Sequence, residues 1–165
     1  MPAECYGRRM TRRRIAQAVV VLAAAAALMA LFAPAPVNPE ADPALDLRAT
    51  SEVPADVAGL LQRACLDCHS NETRWPWYSK VPPVSFLVRH DVNEARGEMN
   101  FSRWGEYNPF DQADMLDEAC QMVSDGEMPL WSYRVMHSRA RLTDEDVTAF
   151  CNWTKTEVER ILNDD

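Results

Sequence analysis

The sequence predicts an all-α protein, with one small helical domain set behind an N-terminal apolar helix. Three observations carry that class. Apolar residues recur at the helical period in four stretches downstream of residue 54. No stretch reads as a strand. An apolar run follows a cluster of arginines near the N-terminus.

That cluster is Arg8, Arg9, Arg12, Arg13 and Arg14, and the nineteen residues from Ile15 to Ala33 that follow are interrupted only by Gln17. A basic flank ahead of an apolar segment is the layout of a secretory signal or a signal anchor, the arginines staying on the cytoplasmic side. Nineteen residues also suffice to span a bilayer as a helix. The small-residue sites after Ala33 and Ala35 are each followed by proline, which disfavours cleavage, so residues 1–33 read first as a signal anchor, with a signal peptide whose removal frees the domain into the periplasm as the alternative. Residues 34–54 include five prolines among alanines and acids without apolar periodicity, and are expected to form an extended, poorly ordered tether. The folded domain is then 55–165, long enough for one small core.

Within it, Val57, Leu60, Leu61 and Ala64 form the stripe of a first helix that starts after Pro54. Val84, Leu87, Val88, Val92 and Ala95 mark a second, after Pro82-Pro83 and before Gly97. The third opens at Asn108-Pro109, an N-cap followed by proline at the first helical position, and carries Met115, Leu116, Ala119, Met122 and Val123 up to Gly126. The fourth starts at Thr143, whose hydroxyl can cap the amide near Asp146, and shows Val147, Phe150, Cys151, Thr154, Val158 and Ile161 at helical spacing.

The formal charge of −8 is uneven: residues 1–14 carry five arginines and one glutamate, +4, which leaves −12 for the rest. Such a domain is a poor ligand for nucleic acid. Its acidity suits a basic partner or simply solubility.

Residues 65–69 read Cys65-Leu66-Asp67-Cys68-His69, the pattern of covalent haem c attachment. Two thiols spaced by two residues reach the two vinyl groups of one porphyrin edge, and the adjoining histidine falls beneath the iron. Attachment requires export, which the N-terminus supplies. A redox dithiol or half a zinc site is disfavoured by the following histidine and by the lack of a second CxxC; a disulfide within the motif is the competing reading. Cys5 lies in the cytoplasmic flank, and Cys120 and Cys151 are left either as a disulfide or as two small buried residues.

His69 is the expected proximal ligand, its other ring nitrogen donating to a backbone carbonyl. For the second axial position Met128 stands out in Gly126-Glu127-Met128-Pro129, where glycine permits a sharp turn past a helix end and proline stiffens the loop. Met115 and Met122 sit in an apolar stripe and read as core; Met99 and Met136 lack such a loop, and Met10 and Met29 belong to the anchor region. His137 is the rival ligand, otherwise a histidine at the surface or near the haem edge, while His90 reads as solvated or locally paired. Arg74, Trp75 and Trp77 follow the motif closely. The guanidinium suits a haem propionate, and one of the two indoles is expected to touch the ring.

Several strings are unusual. Cys68-His69-Ser70-Asn71, Thr73-Arg74-Trp75-Pro76-Trp77-Tyr78-Ser79, Pro83-Val84-Ser85, Asp91-Val92, Asn100-Phe101-Ser102 with Trp104, and Gly126-Glu127-Met128-Pro129 with Tyr133 and His137 resemble the bacterial haem-binding domain family of short exported proteins, over about residues 55–155. The resemblance implies a monohaem c-type domain behind an N-terminal signal or anchor.

The expected function is therefore electron transfer on the periplasmic side of the inner membrane. One haem c is attached through Cys65 and Cys68 with His69 and Met128 axial, residues 15–33 hold the membrane, and a cytochrome c assembly system and redox proteins are the partners. The alternative is a haem enzyme or sensor, peroxidase-like or gas- or redox-sensing, with an open or displaceable distal position served by Arg74, His137 or Arg139. A third class, an interaction domain without haem, requires the CxxC disulfide.

Overall fold

The computed structural model describes residues 3–32 and 35–163, with side chains from residue 12. Ala33 and Pro34, where cleavage was considered, lie outside the described residues, as do the side chains of Cys5, Arg8, Arg9 and Met10. Among the described residues every regular element is helical. In chain order the α-helices are α1 (Ala3–Phe32), α2 (Leu47–Thr50), α3 (Ala55–Ala64), α4 (Val84–Glu98), α5 (Pro109–Ser124), α6 (Trp131–Met136) and α7 (Asp144–Asn163), joined by short 3₁₀ segments.

The chain divides into two units. One comprises Met1–Pro36 with Trp75–His90, the other Val37–Arg74 with Asp91–Asp165. In the first, Arg12–Phe32 of α1 is long and apolar enough to cross a membrane, with none of it buried, a property that anchors and signal sequences share. The same unit holds the 3₁₀ turn Trp77–Lys80 and the start of α4, where the Arg89 guanidinium lies over the Phe86 ring.

The second unit contains the core. Three of the four apolar stripes legible in the sequence are its buried faces: Leu60 and Leu61 of α3, Leu116 and Val123 of α5, Phe150 and Ile161 of α7; of the stripe on α4, Val92 is buried while Val84 and Leu87 are exposed. Side-chain caps set where two of these helices begin. Asn108 Oδ1 accepts from the Asp111 amide at 3.0 Å, with Pro109 in the first turn of α5. At the start of α7 the Thr143 hydroxyl accepts from the Asp146 amide and the Asp146 carboxylate accepts from the Thr143 amide, a reciprocal capping box. The same carboxylate pairs with Arg63 of α3 at 2.5 Å, so the cap also joins two helices. A disulfide between Cys120 and Cys151, with Cα atoms 5.1 Å apart, ties α5 to α7 along their shared face.

The segment expected to be a tether is folded over its second half. Asp42 and Asp46 each accept the amide two residues on, capping a 3₁₀ turn at Pro43–Leu45 and then α2. Leu47 is 1% exposed and joins the core beside Trp104. Upstream, Asn38 Nδ2 donates to the Thr73 carbonyl, and the Glu40 carbonyl accepts from Asn71 Nδ2. The proline and aspartate density that reads as a linker is here turn and cap chemistry, which carries no apolar period. The 3₁₀ run Phe101–Glu106 receives this segment, with Phe101 and Trp104 almost fully buried.

Two outcomes follow for stability. Leu47→Ala should lower unfolding free energy by about 2–5 kcal/mol in denaturant titration, as for a core leucine, where a tether residue would give no change. Replacing Cys120 and Cys151 by serine should cost about 3–4 kcal/mol, from the loop of 31 positions they close; unchanged stability would show the bridge is not formed.

Candidate functional site

The chain leaving α3 keeps winding. The Cys65 and Leu66 amides both donate to the Leu61 carbonyl, and the Cys68 and His69 amides both donate to the Cys65 carbonyl. Cys65, Cys68 and His69 thereby line one cavity while Leu66, 3% exposed, turns into the core. The Ser70 hydroxyl closes the turn by donating to the Leu66 carbonyl at 2.6 Å.

His69 is fixed by both backbone and ring. Its carbonyl accepts from the Phe101 amide at 2.8 Å, and its Nδ1 lies 3.1 Å from the Met99 carbonyl. A carbonyl only accepts, so Nδ1 carries the proton and the ring lone pair sits on Nε2. Burial lowers the imidazole pKa against the opposing effect of the Met99 carbonyl, so the neutral ring is favoured. Next to it, Asn71 and Asn100 share a side-chain hydrogen bond at 2.9 Å and Ser102 Oγ accepts from the Asn71 amide. Residues 69–71 are thus zipped to 99–102. This explains why Cys-His-Ser-Asn and Asn-Phe-Ser occur in one chain.

Both motif cysteines are free thiols. Burial, then the neighbouring Cys68, pushes Cys65 up to about 12; burial, then Asp67 and Asp91, pushes Cys68 up to about 11. Such thiols stay protonated at neutral pH. A redox dithiol needs the opposite shift. Among the described residues no group of three or more His, Cys, Asp or Glu side chains is placed to hold a metal ion.

The cavity has a volume of about 370 Å³ and mainly apolar walls. Met115, Ala119 and Met122 of α5 line it at helical spacing, so these methionines, read from sequence as core, belong to the site. Met128 lines it too. Its placement follows from the end of α5: Gly126 takes a φ of +71°, its amide donates to the Val123 carbonyl, and the Glu127 amide donates to the Met122 carbonyl. This Schellman arrangement is the one glycine at that position supports. The Met128 amide joins the same Met122 carbonyl at 3.1 Å.

Arg74 is committed elsewhere than the cavity. Its guanidinium donates to Asp67 and to the Gln62 carbonyl in the last turn of α3, a helix end whose carbonyls lack intrahelical partners. His137 stands one layer behind the wall, stacked on Tyr133 with ring centroids 4.0 Å apart and its Nδ1 at 3.2 Å from the Tyr133 carbonyl. Trp75 and Trp77 belong to the other unit, as does His90; there Trp77 is 73% exposed and meets Tyr78 edge-on.

Four cavity residues carry chemistry that the sequence did not reveal. Asp91, Glu94, Glu98 and Glu118 contribute carboxylates to the wall, and no lysine or arginine lines it. The helical spacing of the first three on α4 was available as a signal, but the sequence alone did not say which face they share.

The residues present fit a haem. An apolar slot suits a porphyrin, two thiols stand beside a histidine whose lone pair is on Nε2, and a thioether shares the same space. An all-helical domain around such a slot is a haem-binding domain. Residues 24–156, most of the chain, match the haem-binding domain family, and the protein belongs to it. No curated protein and no solved structure matches the chain.

At Gly126 an added Cβ meets nothing within 4 Å, so only the left-handed backbone opposes substitution. Gly126→Ala should cost about 1–2 kcal/mol in denaturant titration. A neutral substitution would show that this turn does not set the Met128 loop.

Proposed function

We propose that this domain is a monohaem c-type electron carrier, held on the periplasmic face of the inner membrane by residues 15–33. The observation that carries the reading is the convergence of Cys65, Cys68, His69 and Met128 on one apolar cavity, with His69 Nδ1 already occupied by the Met99 carbonyl. Cys65 and Cys68 would hold the haem through thioether bonds, each carbon–sulfur bond formed as the thiol hydrogen passes to the other vinyl carbon, with no change in oxidation state overall. Bound haem supplies the one-electron iron couple.

The chain's own residues do the rest. His69 offers Nε2 to the iron while Met99 holds its ring in orientation. Met128 offers a thioether, which favours ferrous iron and raises the potential relative to a second histidine. The mainly apolar walls of the slot would limit water at the iron. Arg74 and His137, two of the three polar groups that an open catalytic site was expected to use, are engaged with Asp67 and Tyr133. The redox partner is a protein with a basic face, matched to the acidic domain. Thiols and haem meet through a cytochrome c assembly system.

The test is the optical spectrum of the full chain, co-expressed with such a system, in both oxidation states and with carbon monoxide. A covalent adduct on the peptide containing Cys65 and Cys68 and a low-spin spectrum with a Met-to-ferric charge-transfer band are expected. Met128→Ala should abolish that band, admit carbon monoxide and lower the potential, within the roughly 0.8 V range that axial ligands set. If His137→Ala produces those changes and Met128→Ala does not, the ligand assignment fails. A high-spin wild-type protein that binds carbon monoxide would put the enzyme or sensor reading in its place.

A further inference from the structure

Tyr133 is a wall residue to which neither the attachment motif nor the axial ligands give a task. Its ring lines the cavity, and its hydroxyl donates to Asp67 Oδ2 at 2.7 Å. Asp67 stands between the two thiols of the motif, its side chain 12% exposed. The other carboxylate oxygen accepts from Arg74 Nε at 3.1 Å and from the Arg74 amide at 3.2 Å. Arg74 therefore steadies the acceptor, and Asp67 presents it to Tyr133. Behind the phenol ring, His137 stacks face to face.

The position of Tyr133 along the chain gives this bond its meaning. Met128 lies five residues upstream, and the segment between them is pinned at one end to α5 through the Met122 carbonyl. The other end is pinned by the Tyr133–Asp67 bond. Asp67 belongs to the same five residues as His69, so one hydrogen bond links the stretch that bears Met128 to the motif that bears His69. From this we infer that Tyr133, acting through Asp67, is a positioning residue that keeps Met128 within reach of the iron. The inference rests on the His69 and Met128 ligand reading above. Removing the hydroxyl leaves Asp67 paired with Arg74, so no buried charge is stranded and the loss is confined to this link.

Full-length haem-loaded protein tests it with Tyr133→Phe, Asp67→Asn and the double variant, read by mass, by the Met-to-ferric band and by carbon monoxide binding to the ferrous form. Tyr133→Phe should keep its covalent haem and its helicity yet bind carbon monoxide about tenfold more tightly, the worth of one hydrogen bond to a charged acceptor. Its charge-transfer band should disappear at a lower denaturant concentration than in the wild type. The double variant should do little more than Tyr133→Phe alone, because the two residues act as one unit. His137→Ala, which leaves the hydroxyl in place, should keep carbon monoxide affinity within about twofold of wild type. Wild-type band stability and carbon monoxide affinity in Tyr133→Phe would overturn the inference, as would full additivity in the double variant. A wild-type protein lacking the covalent adduct or the charge-transfer band would instead overturn the ligand reading, and this inference with it.

Discussion

The hold on His69 is the constraint from which the rest of the site follows. A histidine next to a CxxC has several rotamers and two tautomers open to it, and only one combination presents Nε2 to a cavity. The Met99 carbonyl selects the tautomer, and the Phe101 amide bonded to the His69 carbonyl fixes the backbone beneath it. Both partners sit immediately after α4, so the helix end that brings Met99 into place is as much a part of the site as the motif. The buried Asn71–Asn100 pair and Ser102 complete the seam with polar groups satisfied by one another. A half-satisfied seam of this kind would cost more than an apolar one. That all-or-none character explains why so many small polar residues are placed in so short a stretch.

The opposite wall is built by different means. There the chain relies on a helix terminus, where Gly126 reverses direction and three successive amides, from Gly126 to Met128, find the free carbonyls of Val123 and Met122. Rigid elements thus flank both candidate ligands, and neither depends on a long loop. The disulfide between α5 and α7 stiffens the helix from which that turn departs. In a domain this small, a covalent tie offsets conformational entropy that a modest core would struggle to oppose.

Much of this was legible in the sequence because it obeys local rules. The stripes of α3, α5 and α7, the Asn108-Pro109 start and the Thr143 cap are set within a few residues, and the structure holds each of them. The Cys65–His69 motif is local as well, as is the Gly126 turn that delivers Met128. What escaped the reading depends on pairs far apart in the chain. Leu47 carries no periodic signal in a four-residue helix, and its burial needs the 3₁₀ run Phe101–Glu106, far along the chain. α6 is only six residues long, too short for a helical period to show. The wall methionines Met115 and Met122 lie on a stripe that faces core and cavity alike, two environments that are equally apolar and cannot be told apart by periodicity.

The charge pattern of the cavity bears on the proposed carrier in a way the ligands alone do not. A methionine ligand favours the ferrous state, whereas carboxylates near the iron favour the more positive ferric state. Asp91, Glu94, Glu98 and Glu118 on the wall, with no lysine or arginine among the lining residues, oppose the effect of Met128. On the proposed ligand set, the potential would reflect a balance between the thioether and these carboxylates. Because salt screens exposed carboxylates far more than it screens buried ones, the same four residues would tie the potential to ionic strength and to the approach of a basic partner. On the carrier proposal, docking of such a partner would neutralise part of the wall, raise the potential of the haem, and so favour electron entry in the complex over electron entry in the free protein.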